Sequence, residues 1–598
     1  MQRSLLYSTL GLCAAGAVFT ANLGAQNLRP AQQISPAGAF DAAIGSAGDL
    51  SCVTWVEGNT LYSAVSDGRG KTWGAPVQVS PDTVGRKDQR GDDVVVVDGA
   101  IYTFWIDRRN GVREPAMAVS TDGGATWTET VNIGGLASPV VRTWKFLANA
   151  GATSAPGDDN VWAVVAEDAT GAASTDDELF VIYSANGGAS FSLNYAQPGV
   201  GQNSGMNDVD GLDAKAEGNT LYLSWCDERN GSSPIADDVW FNSTTDGGVT
   251  WQHATCLNVE ADAVSDGEST SIAVRGTTVA IAWEQERFNA GGDPEEALCV
   301  ISTDGGATFG APQVVGNYMR ESAPAAADGN DVDGVSCIIS SNGDVIVCYG
   351  DDRNGGNEVS AAVSTGGGAF VEVAGIASGG FPTAVTGVYD AMAFDDDGAP
   401  DDLVFAISYD NGASWDTVTQ ADAGAGDIDQ PGETTEGLPP NAPIVMNDYY
   451  HGNVLAAWLD DTLGANEAYV GGFRAATTTA IGWEDIFNPS ETTLQWTFKG
   501  YQDKVIAGIV LSFGVGPTTL DGRTVDMDPG FLSTWPAGST IFLAPLTNGA
   551  GATGSIPNVW PTLFPSGLVG VPLLLNYTGL GYGSPSASIT SDTSTFTL

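Results

Sequence analysis

The sequence predicts an all-β protein: a β-propeller of eight blades, with seven as the alternative, followed by a small β-sandwich-like domain. Three observations predict it. A Ser/Thr-x-Asp-x-Gly-x-Thr-aromatic turn recurs along the chain. A second motif, an aromatic followed by one residue and an acid, precedes each copy. Both patterns stop after Ala475. Self-similarity at a fixed period is the sequence signature of repeat architectures, in which each repeat buries its apolar face only against its neighbours.

The turn motif is read at Ser66–Trp73, Ser120–Trp127, Thr244–Trp251 and Ser302–Phe309. Weaker copies run from Ser184 to Phe191, with Asn186 in the acidic place, and from Ser408 to Trp415; the copy at Ser364–Phe370 has lost its acid to Gly366. Each copy fits a hairpin. The carboxylate accepts backbone N–H groups inside a tight turn, the glycines supply φ > 0, and the aromatic anchors the turn.

The second motif is an apolar strand that ends in Trp55-Val56-Glu57, Trp105-Ile106-Asp107, Trp225-Cys226-Asp227, Tyr349-Gly350-Asp351, Phe394-Asp395-Asp396 or Trp458-Leu459-Asp460. Val165-Ala166-Glu167 fits without the aromatic, and Trp283-Glu284-Gln285-Glu286 fits with its acids displaced by one. That makes eight units, the last of which has no turn copy after it. Its missing outer strand has a donor: Gln32-Gln33-Ile34-Ser35-Pro36 matches Val77-Gln78-Val79-Ser80-Pro81, which follows the first turn. A strand from the beginning of the chain would then close the ring.

The repeat resembles the Asp-box, or BNR repeat, of sialidases and related propellers. The resemblance covers the propeller repeats and implies glycan recognition, with sialidase-type hydrolysis. Sialidases hold a sialic acid carboxylate with three arginines and use a Tyr nucleophile assisted by a Glu, with an Asp acid/base. Two features depart from that family. The Phe/Tyr-Arg-Ile-Pro signature is absent, and eight units exceed the six blades of sialidases.

Blade topology sorts the motifs onto two faces. The turn copies are hairpins between third and fourth strands, on the face away from the usual ligand. The aromatic-x-acid element ends the second strand, so its acids are expected to project onto the ligand face. Four of these loops continue with arginine: Arg109, Arg229, Arg287 and Arg353. The connections entering each blade face the same way and carry Arg90, Arg142, Asp208, Asp210, Asp213, Asp266, Glu268, Arg320, Asp331 and Asp333. In one reading Asp-x-Arg-Asn-Gly is a turn whose arginine pairs with an acid of a neighbouring blade and ties the ring together. In the other, Arg109, Arg229, Arg320 and Arg353 grip a substrate carboxylate by bidentate pairing. Glu268, Asp210 and Asp333 are then the acid/base candidates. A non-catalytic binding or adhesion propeller with a structural acid–arginine ring is the rival from another class.

No cofactor is called for by any motif, and calcium is the one ion for which the sequence offers a loop. Asp395-Asp396-Asp397-Gly398-Ala399-Pro400-Asp401-Asp402 resembles the calcium loops of integrin-type propeller repeats, with Asp395, Asp397 and Asp401 as ligands. Ala393 stands where a first ligand is expected, so a solvated acidic loop is the other reading.

The remaining composition sets limits. Residues 1–25 read as an export signal: Arg3, an apolar run from Leu5 to Phe19, then Leu23-Gly24-Ala25. The propeller is read over residues 26–477 and the second domain over 478–598, and the mature protein is expected outside the cell or on its surface. No later run is apolar enough to span a bilayer. With 73 acidic and 22 basic residues, and a formal charge of −51, the surface repels phosphate backbones, so nucleic acid is a poor partner and a glycan or other extracellular ligand a better one. Two histidines and no Cys-x-x-Cys spacing argue against zinc. Cys337 and Cys348 flank Ser341-Asn342-Gly343-Asp344, so a simple hairpin would set them opposite each other, as a disulfide or as two buried thiols.

Overall fold

A computed structural model describes residues 28–474 apart from the turns and connections at 37, 48–49, 68–69, 71, 81–92, 137–140, 154, 169–176, 196–208, 228–236, 253–254, 259–265, 287–294, 317–331, 353–355, 387–389, 397–401, 409, 421–443, 449–452 and 461–466, together with strand segments between 477 and 597. The described residues between 28 and 474 form eight antiparallel sheets of four strands. The innermost strands of blades 1 to 8 are Ala39–Ala47, Asp93–Val97, Val141–Asn149, Val209–Glu217, Asp266–Arg275, Val332–Ile339, Gly380–Thr386 and Ile444–Asp448. Each packs against the next, and the last packs against the first, so the ring is closed. The protein is an eight-bladed β-propeller.

The eighth blade takes its outer strand from the start of the chain. Leu28–Gln33 runs antiparallel to Glu467–Arg474, and beyond it Ile34 N donates to Ala468 O at 2.9 Å. The Ala468 N–H in turn donates to Ser35 Oγ at 2.7 Å.

The turn motif shows why it recurs. In the copy of blade 2, Asp122 Oδ1 accepts from Ser120 Oγ and Thr126 N at 2.9 Å each, while Thr126 Oγ1 donates to Asp122 Oδ2 at 2.6 Å. Asp246, Asp304 and Asp410 repeat the pattern, and Asn186 replaces it with Ser190 N donating to its Oδ1 at 2.9 Å. The second glycine of each turn also joins blades. A Cβ on Gly306 would meet Phe241 of the preceding blade at 2.5 Å, and one on Gly124 would meet Val65 at 2.5 Å. Both glycines have φ near +85°, at 87° and 83°, so conformation and space demand the same residue.

Between blades the core is aromatic. Trp55, Trp105, Trp225, Trp283 and Trp458 occupy equivalent places near the ends of second strands, with Tyr349 and Phe394 in blades 6 and 7, and all seven are buried. Truncating one of the tryptophans to alanine costs about 3–5 kcal/mol.

Residues 477–597 hold three further sheets. One orders the strands Thr477–Ile481, Thr493–Lys499 and Ala552–Pro557. A second centres on Ile506–Ser512 and Leu574–Tyr582, and a third is the hairpin of Pro517–Leu520 with Arg523–Asp526.

The blade 6 hairpin corrects one sequence expectation. Its turn holds five residues, 340–344, closed by Ser340 N donating to Asp344 O at 2.9 Å, so Ile339 pairs with Val345. Cys337 therefore lies opposite Val347, and Cys348 opposite Ser336. A shift of one residue puts the two cysteines on opposite faces of the sheet, and they are not cross-strand partners.

Candidate functional site

Every innermost strand starts on the same face of the ring, where the connections between blades and the loops between second and third strands also lie. Three of the acids singled out by sequence occupy one equivalent place there. Asp210 pairs with Cys226, Glu268 with Glu284, and Asp333 with Gly350. Each partner directly precedes the residue that completes the aromatic-x-acid motif: Asp227, Gln285 or Asp351. Asp210, Glu268 and Asp333 thus sit on one rung of blades 4, 5 and 6, at one end of the central channel. Arg142 of blade 3 lies at a register shift between Val141, opposite Glu167, and Thr143, opposite Ala166, close to the same rung.

The rung is set by a local device. After each of the three acids the innermost strand has a register irregularity, between Asp210 and Asp213, Glu268 and Ser271, and Asp333 and Val335. Bulges of this kind re-aim side chains and are common at barrel rims and beside sites. The bulges of blades 4 and 5 lock together: Thr270 Oγ1 donates to Gly211 O and is 2.8 Å from Ser224 Oγ. A Cβ on Gly211 would meet Ser269 N at 2.8 Å, so only glycine permits this approach.

Two rungs further in, a ladder links the innermost strands from blade to blade. Ile272 N donates to Asp213 Oδ2, Cys337 N to Ser271 Oγ and Ala384 N to Ser336 Oγ, each at 2.9 Å. Lys145 of blade 3 extends it, with its Nζ 3.5 Å from Asp213 Oδ1. Burial pushes the Asp213 carboxyl up, but Lys145, Lys215 and the N–H groups of Ile272 and Ala214 outweigh it and hold the group below its ordinary range.

Four of the aromatic-x-acid acids turn into the core rather than projecting onto the ligand face. Asp107, Asp227, Asp351 and Asp460 are all buried. Trp105 Nε1 donates to Asp107 Oδ2 at 3.0 Å, Trp225 Nε1 to Asp227 Oδ2 at 2.7 Å, and Trp283 Nε1 to Gln285 Oε1 at 3.0 Å. In blades 2, 4 and 5 this residue satisfies an indole N–H that burial would otherwise leave without an acceptor, whereas the indole N–H groups of Trp55 and Trp458 make no such bond. Gln285 does this without a charge, which releases Glu284 for the rung opposite Glu268. Sequence reasoning did not single out Glu284; its signal was the displacement of the blade 5 acids by one residue.

Arg109 is committed to its own blade. Its Nε donates to Asp107 Oδ1 at 2.9 Å, its Nη2 to Asp107 Oδ2 at 2.6 Å, and its Nη1 to Glu129 Oε2 at 3.1 Å, while Nη2 also bridges to Glu129 Oε1. Burial pushes the Asp107 carboxyl up, but these bonds and that of Trp105 hold it below its ordinary value. Arg229, Arg320 and Arg353 lie outside the described residues.

For the calcium loop, Asp395 ends the second strand of blade 7, buried and opposite Gly380. Asp402 N donates to Asp396 Oδ1 at 2.9 Å, and Asp396 N to Asp402 O at 3.1 Å, closing the neck of the loop. Asp397 and Asp401 lie outside the described residues. Among the described residues no group of three His, Cys, Asp or Glu side chains is arranged to hold a metal ion, and no helix is long and apolar enough to cross a membrane.

No protein-family model matches the sequence, and no curated protein matches it. Solved structures similar to it include an ulvan lyase of a polysaccharide lyase family, 11% identical with a TM-score of 0.39 over 74% of this chain and 94% of that one. An α-L-arabinofuranosidase from Fusarium graminearum is 14% identical, with a TM-score of 0.35 over 63% and 90% of the two chains. An α-L-arabinanase from Penicillium chrysogenum is 12% identical, with a TM-score of 0.34 over 75% and 98%. At these scores nothing about activity or site residues carries over to this chain.

Proposed function

We propose that the chain is an exported, Asp-box propeller that binds a glycan at the channel end where the innermost strands begin, and that Glu268 with Asp210 and Asp333 cleaves it. The observation that carries this reading is the shared rung: three carboxylates on three consecutive innermost strands, at bulges, beside the position of Arg142. Acidic residues on one rung at a channel mouth can offer acceptors to sugar hydroxyls, and a pair of them can divide the acid and base roles of glycosidic cleavage. Glu268 directly opposite Glu284 supplies such a pair, because cross-strand partners place their Cβ atoms about 5 Å apart. Arg142, with the positions of Arg229, Arg320 and Arg353, would add the carboxylate grip of a sialidase-type site, and calcium would bind at Asp395, Asp397 and Asp401.

A second reading has its own observation. Arg109 is held by Asp107 and Glu129 of its own blade, which supports a structural role for this arginine, although not the expected link to a neighbouring blade. One panel separates the two. The full chain is presented with fluorogenic sialosides and with neutral and uronic-acid oligosaccharides, beside Glu268→Gln and Asp210→Asn. Turnover lost in both variants supports cleavage at the rung. Binding without turnover that survives both variants leaves the second reading.

A further inference from the structure

Six cysteines lie among the described residues, each as a free thiol. Cys337 shares the blade 5–6 seam with Cys299, and Cys348 lies on the neighbouring strand of its own blade. The register separates these neighbours. Cys337 and Cys348 belong to different apolar clusters on the two sides of the blade 6 sheet: Cys337 packs with Val347 and Tyr349, and Cys348 with Met392 and Phe394. Cys299 and Cys337 share one cluster, the seam between blades 5 and 6, which also holds Ala282 and Val347. Cys299 is on the third strand of blade 5, Glu295–Ser302, and that strand packs against the innermost strand of blade 6, which carries Cys337. Both thiols are buried and free; burial first, and Cys337 second, push the Cys299 thiol well up.

We propose that Cys299 and Cys337 form a disulfide that joins blade 5 to blade 6 when the chain folds in the presence of a small-molecule disulfide oxidant. The exchange balances in two steps. One cysteine thiolate attacks a sulfur of the oxidant and displaces the first oxidant thiolate. The second cysteine thiolate then attacks the mixed disulfide and displaces the other. The oxidant is reduced to two thiols, which take up the two protons lost by the cysteines. Burial pushes the Cys299 thiol up, so the reaction belongs to the assembling ring rather than to its sealed core. The bond closes a loop containing most of blade 6's approach, from Cys299 to Cys337, and such closures stabilise by restricting the unfolded chain.

The test is to refold the full chain in a glutathione redox buffer, denature it, alkylate it and map its peptides without reduction. The expected result is one peptide pair joining Cys299 to Cys337, lighter by two hydrogens than the separate peptides, with Cys52, Cys226, Cys256 and Cys348 alkylated. Full alkylation of every cysteine, or a Cys337–Cys348 linkage, overturns the proposal. Thermal unfolding gives a second readout. Added reductant should lower the wild-type Tm and leave Cys299→Ala and Cys337→Ala unmoved; a wild type indifferent to reductant overturns it as well. The peptide map uses the wild type alone, so it decides the matter even where a variant fails to fold.

Discussion

Lys145 and Asp213 meet across the seam between blades 3 and 4, with Nζ 3.5 Å from Oδ1, while the other oxygen of Asp213 accepts the N–H of Ile272 from blade 5. One carboxylate therefore binds three consecutive innermost strands just inside the proposed mouth.

Replacing Lys145 by Met should leave that buried carboxylate without its nearest cation. The lysine side chain is 43% exposed, so screening by water keeps the direct loss small, about 1 kcal/mol. The sharper sign is in acid. The Asp213 carboxyl is held below its ordinary range in the folded chain, so its contribution is complete at neutral pH and is lost as pH falls through the folded value. In Lys145→Met the folded carboxyl should titrate at higher pH, so the loss should be smaller and complete at a higher pH. Urea unfolding between neutral and acid pH measures it.

Arg109→Met should destabilise without touching ligand binding. It strands the buried Asp107 carboxylate, and removing one partner of such a pair costs about 3 kcal/mol. The check is a denaturant midpoint compared with glycan affinity. Lost affinity at unchanged stability would return Arg109 to the site.

Asp390 gives the opposite pH sign. It begins the second strand of blade 7, on the far face of the ring from the mouth. Thr386 Oγ1 donates to its Oδ1 at 2.8 Å. Burial pushes its carboxyl up to about 7, with Asp344 and Asp410 adding to the rise and Arg275 opposing it. The folded chain binds this proton more tightly than the unfolded chain, whose carboxyl titrates near about 4. Stability from this group should therefore fall as pH rises from about 4 to about 7. Asp390→Asn should remove that slope and raise the Tm at pH above about 7, by calorimetry; an unchanged profile would mean that the carboxyl is ionised in the folded protein.

Glu284→Gln tests the residue opposite Glu268. If the two acids divide the cleavage roles, the variant should lose roughly 100-fold or more in kcat with a shifted pH profile. A merely structural Glu284 would show as reduced stability with the pH profile intact.

The architecture was legible because its repeats encode it twice. The Ser/Thr-x-Asp-x-Gly-x-Thr turn is self-contained, with Asp122 satisfied by Ser120 and Thr126, so it reads from sequence without its surroundings. The Trp-x-acid motif was equally visible, but its purpose was not. A pattern of letters shows that Asp227 follows Trp225 by two residues, and only the fold shows that it caps the indole. The rung of Asp210, Glu268 and Asp333 was reached through topology. Its partner Glu284 was not, because the exchange of roles with Gln285 depends on which atom meets Trp283. The cysteines failed for a narrower reason: a turn of five residues instead of four reverses every side chain on the strand after it.

The strand at Leu28–Gln33 fixes when this molecule can become whole. Ser35 and Ala468 are 433 residues apart in the chain and joined in the fold. During synthesis that first strand waits, its backbone groups exposed, while seven blades take shape ahead of its partner. Until Glu467–Arg474 is made, the ring has an open edge able to pair with any passing strand. Maturation of this protein is thus a single late event, and a chain cut short before that event holds almost every blade and no circle.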